Sequence, residues 1–332
     1  MIKKLIKSLL GEKNTNRIRR IKFSLISAID SAICAWRSFD SPNDSDFTKD
    51  HLNVAQLKNV HGLEKAMVIG HEKYLSAVKY DKLIGNMSRL IQMGVPPDDF
   101  TVAESAVVIR SALATLPGHD SEKLQLESLI SQYNIPMNLR GGIEVIPSAE
   151  ILRHTVFDFH AFVSSRHSVR KFKDKIVPRE VIYDIVREAL YCPSACNRQP
   201  CKVYFSEDRK KIAQIIKLGA DGFLAEGIHD CVIITCDKAL QSLGEIDDQE
   251  YVNGGIFLGY LVMSVHAHGL GSCLFQCLRS SVTKQNKIRR IFGINDSEAI
   301  VCCMGIGELE DDVICACAQR RNITDVAICL DD

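Results

Sequence analysis

The sequence predicts a mixed α and β fold, a sheet covered by helices, with a helical region ahead of it. Three observations lead there. From Phe159 onward, short apolar runs rich in β-branched residues alternate with segments of helical period. Such alternation marks an α/β or α+β sheet with helices on its faces. Residues 1–137 read as helices, and NLRGGIEVIPSAE, residues 138–150, has the paired glycines and proline of a linker. The expected organisation is a helical region over 1–137, a linker over 138–150 and a second domain over 151–332.

The elements follow in order. FTVAESAVVIRSALATL and LESLISQYNI place apolar residues near helical spacing, and VPPDDF and LPGHD break the helices between them. VPREVIYDIVREALYC predicts a helix with Pro178 at its start and an apolar side of Val181, Ile182, Ile185, Val186, Ala189 and Leu190. KVYFS reads as a strand, DRKKIAQIIKLG as a helix closed by Gly219, and CVIITC as a buried strand. A long helix runs from Asp248 to His268 and is apolar nearly all round. It belongs at a domain centre or in the middle of a dimer interface, and Gly255 and Gly259 give it a smooth stripe for another backbone. GSCLF, SVTKQNKIRRIF and EAIVCCMGIGEL complete the series as strand, helix and buried strand.

Composition narrows the function. With 332 residues, 46% of them hydrophobic and 25% charged, the chain has the profile of a globular protein that buries a core unaided. Its 41 basic and 41 acidic residues cancel, so overall charge gives no ground for a nucleic-acid partner. Thirteen cysteines occur without a C-x-x-C, many inside apolar runs, which reads as reduced thiols in a cytoplasmic protein rather than a metal site. Residues 1–22 hold Lys3, Lys4, Lys7, Lys13, Arg17, Arg19, Arg20 and Lys22 against the single acid Glu12. The apolar stretch after them is broken by Asp30 and too short to span a bilayer. Residues 1–36 read as an amphipathic helix with a solvated basic face or, more sharply, as a peripheral membrane or protein contact.

Four segments carry candidate chemistry. In SSRHSVRKF, Arg166, Ser168 and Arg170 alternate, so an extended backbone turns two guanidiniums and a hydroxyl to one side, a face suited to an anion. A solvated basic loop reads equally well. CPSACNRQPC, residues 192–201, is stiffened by Pro193 and Pro200 and offers Ser194, Asn197 and backbone groups to the edge of a planar heterocycle; the plainer account is an ordinary turn. Arg320 and Arg321 follow the acidic ELEDD and offer a second pair of guanidiniums, or a solvated charged turn. His61, Glu64 and Lys65 in VHGLEKAM share a helical face, most simply as a surface ion pair. His266 and His268 end an apolar helix and read as packing or capping residues. No catalytic triad and no metal-ligand set stands out.

Taken in order, these pieces resemble the nitroreductase superfamily: Arg166-His167-Ser168 with Arg170 and Phe172; Pro193-Ser194 with Asn197, Gln199 and Pro200; Gly254-Gly255 with Phe257, then HAHGLGSC; Gly305, Gly307 and Glu308; and Arg320-Arg321 with Asp325 and Val326. The long helix resembles a subgroup found among polysaccharide-biosynthesis genes, whose helical extension carries a histidine–glutamate–lysine motif that VHGLEKAM loosely matches. The resemblance implies an α+β sandwich forming an intertwined homodimer, with FMN at the dimer interface and NADH or NADPH as reductant. The acceptor would be a small molecule, aromatic or conjugated.

By the same resemblance, Arg166 and Ser168, with His167 between them, match the residues that hold the FMN phosphate. Arg170 matches the basic residue near the flavin N1 and C2 carbonyl. Pro193, Ser194 and Asn197 match the loop supplied by the partner subunit, and one of Arg320 and Arg321 closes on the phosphate. The sequence departs from the family at Cys201, where an aromatic is usual, and around Gly222, where a polar side chain is usual. Those departures motivate a rival reading, a degenerate domain that serves as a non-catalytic assembly or scaffold partner. Another rival keeps the fold and changes the flavin chemistry, to dehalogenation or ring oxidation.

Overall fold

The computed structural model describes residues 25, 29, 49–69, 77–115, 119–138, 141–143, 157–219, 227–241, 249–275, 282–313, 315 and 320–330. The basic stretch of residues 1–22, the Gly222 segment and the second half of the expected linker lie outside them.

The helical region contains α1 (Lys49–Ile69), α2 (Ala77–Gln92), α3 (Phe100–Thr115) and α4 (Asp120–Tyr133). The two predicted periodic segments fall in α3 and α4. Asn134 closes α4 in the left-handed region, at φ 53°, with its N–H donating to the Ile130 carbonyl. These helices share a core of their own. Leu63, Tyr80, Met87, Leu90, Ile109 and Leu113 are essentially inaccessible within it. Burying such a side chain contributes about 1.5–3 kcal/mol.

The second region holds α5 (Phe159–Ser165), α6 (Arg179–Ala189), β1 (Cys201–Tyr204), α7 (Arg209–Gly219), β2 (Cys231–Asp237), α8 (Gln249–Ala267), β3 (Leu270–Phe275), α9 (Val282–Phe292) and β4 (Glu298–Glu308). The strands form one sheet in the order β1-β2-β4-β3, and every pairing is antiparallel. That decides between α/β and α+β in favour of α+β.

Alternation along β2 sorts side chains to two faces. Cys231 and Ile233 join one core, under α7 and α9, with Ile212, Ile215 and Ile288. Val232, Ile234 and Cys236 join the other, under α6 and α8, with Ile182, Phe257 and Leu261. The β2–β4 register slips by one residue between Ile234 and Thr235, so Val301 and Cys302 both face the α8 side. At that bulge α8 comes very close: a Cβ on Gly254 would lie 2.5 Å from Val301 Cγ2. Gly255 and Gly259 have nothing within 4 Å of a Cβ position. They share an exposed face with Val252, Ile256 and Tyr260, so α8 is half buried on the sheet and half an open apolar face.

Two expectations need correction. Leu190 is 45% exposed, because α6 ends at Ala189 and the chain turns away before that side chain reaches the sheet. The first strand starts at Cys201 and stops at Tyr204, where its pairing with Ile233 ends, so Phe205 and Ser206 lie beyond it. Among the described residues no helix is long and apolar enough to cross a membrane, and no group of three or more His, Cys, Asp or Glu residues is placed to hold a metal ion.

Candidate functional site

Asp158 starts the first half of the site by capping α5, its Oδ1 accepting from the Ala161 N–H at 2.8 Å. The chain leaves α5 at Arg166 in extended conformation. Ser168 then bridges Ser272 of β3 in parallel, with the Val169 N–H donating to the Ser272 carbonyl at 3.0 Å. Along this bridge Val169 points into the core, Ser168 and Arg170 stay exposed, and Arg166 is half-buried. Arg170 donates to the Ser168 carbonyl at 3.2 Å. Burial pushes the Cys273 thiol of β3 up, and the Arg170 guanidinium pulls it back, which places that charge over β3.

Beside this segment is a cavity of about 260 Å³. Arg166, His167 and His266 line it with Ser165, Ser272 and Gly271, and among the described residues no carboxylate, and neither Ser168 nor Arg170, is in its walls. Gly271 keeps the wall close, since a Cβ would lie 2.8 Å from Leu309 Cδ2 and 3.0 Å from Phe172. His266 is held by the Ser165 hydroxyl at 2.9 Å and by the Phe162 ring, with centroids 5.0 Å apart. His268 pairs with Glu188 at 3.1 Å. His266 packs as expected and also borders the cavity, while His268 is exposed in its pair with Glu188. Arg320 and Arg321 are exposed and are not among the residues lining it.

The second half is the loop from Cys192 to Cys201. It is unusual backbone: Cys196 and Asn197 both have φ 52° and Gln199 has φ 46°. Side chains rarely adopt that region, and residues other than Gly, Asn and Asp do so at a cost. The loop is tied from several sides. Asn253 of α8 accepts from the Ala195 N–H at 3.1 Å and donates to Gln241 at 3.3 Å. The Ser194 hydroxyl accepts from the Gln199 N–H at 3.1 Å. Arg198 Nε donates to the Ala195 carbonyl at 2.9 Å. Asn197 Nδ2 donates to Glu104 Oε1 of α3 at 3.2 Å. Pro193 is exposed, as is Asn197 on its outer side.

Glu104 belongs to a polar group at the joint between the regions. His61 and Glu64 do share a face of α1, at 3.0 Å, though half-buried rather than on the open surface. Glu64 also accepts from the Gly142 N–H of the expected linker at 3.2 Å. The Lys65 side chain lies outside the described residues. Burial and the nearby Glu64 push Glu104 up to about 7, with the Asn197 hydrogen bond pulling the other way. Sequence reasoning missed Glu104 and Asn253. Both had a signal: Asn253 is a lone amide within an apolar stretch of α8, and Glu104 is the sole acid of the mostly buried, apolar α3.

The two halves sit at opposite edges of the sheet. The Arg166–Arg170 segment lies along β3, and the 192–201 loop feeds β1. Three strand spacings separate those edges, about 14 Å.

A model of the Nitroreductase family matches residues 163–243 and 232–308. A protein of Methanothermobacter thermautotrophicus, named for NADH dehydrogenase and NAD(P)H nitroreductase activity, is 25% identical over 132 residues, 40% of this chain and 67% of its own length. The 4-nitrobenzoate reductase of Pseudomonas putida is 25% identical over 202 residues, 47% of this chain and 87% of its own length. Among solved structures, the FMN-dependent nitroreductase of Clostridium difficile R20291 is 21% identical, with 51% of this chain and 94% of that one covered and a TM-score of 0.41. From residue 163 to residue 308 the chain therefore matches the Nitroreductase family, and its fold is nitroreductase-like, mixed α+β with a helical region ahead of it.

Proposed function

We propose that residues 151–332 form an FMN-dependent oxidoreductase domain that works as a homodimer, with residues 138–150 linking it to the helical region. Its reductant is NADH or NADPH, and its acceptor is a small aromatic or conjugated molecule. The observation that supports this best is the split of the site. An anion-suited cavity with Arg166 in its wall lies at one sheet edge, and a rigid heterocycle-suited loop lies at the other. One copy holds each half apart; a second copy is what brings the loop of one chain to the cavity of the other. The exposed apolar face of α8 offers that copy a docking surface.

The residues present fit FMN. A cavity of about 260 Å³, with no carboxylate among its described lining residues, suits the phosphate end, and is smaller than a pocket enclosing a whole ligand of that size. Arg166, His167 and Ser168 would hold the phosphate, with Arg320 or Arg321 closing on it. Arg170 would put a guanidinium beside the N1 edge of the ring and stabilise negative charge there. Pro193, Ser194 and Asn197 of the partner's loop would border the ring. Bound FMN supplies the hydride chemistry; the protein orients it and excludes water. The named relatives, an NAD(P)H nitroreductase and a 4-nitrobenzoate reductase, support the reductant and the acceptor class. Free thiols among the described cysteines support a reducing, cytoplasmic setting. The loose match of VHGLEKAM supports a relation to the polysaccharide-biosynthesis subgroup.

Arg166→Ala tests the phosphate assignment. Losing charge-assisted hydrogen bonds worth about 1.5–3 kcal/mol should weaken FMN binding by roughly 10- to 150-fold. Equilibrium dialysis showing wild-type FMN affinity in that variant would refute the assignment.

A further inference from the structure

The 192–201 loop is strained and is gripped from outside its own domain. Its positive-φ residues, Cys196, Asn197 and Gln199, need contacts that over-determine them. Among the described residues, ties from within the sheet domain come from Asn253, the Ser194 hydroxyl, Arg198 and the Gln199 side chain. Another crosses the joint, from Asn197 Nδ2 to Glu104 Oε1 at 3.2 Å. Glu104 is 8% exposed, and its second oxygen, also buried, has no hydrogen-bond partner. A carboxylate spent in that way, beside the further acid Glu64, costs the helical region stability. The contact to Asn197 is what the position provides in return. Asn197 donates its amide to α3, and its Oδ1 accepts from Gln199 Nε2 at 3.3 Å.

We infer that Glu104 is a positioning residue: from the helical region it holds Asn197, and through it the 193–200 loop, in the conformation the flavin site requires. The helical region is then a working part of that site rather than an appendage. The flavin half of this inference rests on the function proposed above.

The test separates the two. Amide hydrogen exchange in the apo protein reads the loop without any flavin. Glu104→Leu should speed exchange at residues 195–199 several-fold and leave α6 and β2 unchanged, while Glu104→Gln, whose side-chain oxygen still accepts from Asn197, should not. Asn197→Asp sets two carboxylates face to face without touching the helical core and should loosen the loop likewise. Combining Asn197→Asp with Glu104→Gln restores a donor opposite an acceptor and should return exchange to the wild-type rate. FMN affinity should follow the same order, falling roughly 5- to 20-fold in the two loosened variants and recovering in the swap. Wild-type exchange in both loosened variants overturns the inference. Fast exchange with unchanged FMN affinity overturns the positioning role. A wild-type protein that takes up no FMN overturns the flavin reading and the positioning role with it, while the exchange rates still decide the contact.

Discussion

The helical region and the sheet domain differ in how particular buried polar groups are held. In the sheet domain Glu298 and Asp230 sit in closed networks, while Glu250 of α8, equally buried, has Lys238 Nζ at 4.0 Å. Glu298 is fully buried and accepts from Thr235 at 2.6 Å, Tyr204 at 2.9 Å and Lys202 at 2.9 Å. Asp230 accepts from the N–H groups of Val177 and Cys231. In the helical region the buried side-chain oxygens of Gln56 Oε1, Tyr80 Oη, Glu104 Oε2 and Ser105 Oγ make no hydrogen bond. Satisfied networks fix one arrangement, and unsatisfied groups lower stability. Around Glu298 and Asp230 the sheet domain is thus built as a rigid platform, and at Glu104 the helical region gives up stability where it touches the loop.

That contrast can be broken first at Glu298. Glu298→Ala leaves Thr235, Tyr204 and Lys202 without their acceptor and should cost about 3–5 kcal/mol in denaturant unfolding. A loss under about 1 kcal/mol would mean the network is not closed in solution.

Next comes pH. Burial and Glu64 hold Glu104 at about 7 in the folded chain, above its ordinary 4.5. A raised folded-state pKa means its stabilising contribution is full below the unfolded value and is lost as pH rises through the folded one. His61 and Glu64 of α1 and the loop's Asn197 share this environment. Between pH 5 and 8 wild type should lose roughly 2–3 kcal/mol that Glu104→Gln retains. Asp230, raised to about 6 by burial, adds a loss of the same sign at lower pH, which Asp230→Asn isolates. Parallel wild-type and Glu104→Gln stability curves would contradict the placement of Glu104.

A smaller effect is expected at Thr235→Val, about 1–2 kcal/mol for one hydrogen bond to a buried carboxylate. Ser105→Ala should be the smallest. It removes a hydroxyl that is fully buried and unpartnered, so thermal unfolding should move little or rise, by up to about 1 kcal/mol. A clear loss there would mean that Ser105 has a partner after all and would weaken the contrast.

Much of this fold was legible because period and burial agree. CVIITC reads as a buried strand and is one, since its β-branched side chains are enclosed on both faces. The 248–268 helix reads as buried, yet its 252–256–260 face is open: sequence records apolar character, not which neighbour covers it. The candidate site was legible where a motif is local. One β-bridge fixes the segment, with Ser168 and Arg170 exposed on either side of buried Val169, while Arg166 rather than Ser168 or Arg170 lines the cavity. Contacts between residues far apart in the chain left no local signature. Glu104 to Asn197 and Asn253 to Ala195 join loops and helices that only the fold brings together.

The central claim is that this chain grips FMN, and the visible spectrum of purified protein incubated with FMN and then desalted tests it most directly. The account predicts flavin absorption retained at about one FMN per chain and bleached on adding NADH or NADPH. A colourless protein that releases all added FMN would contradict it and would favour a scaffold role for the domain.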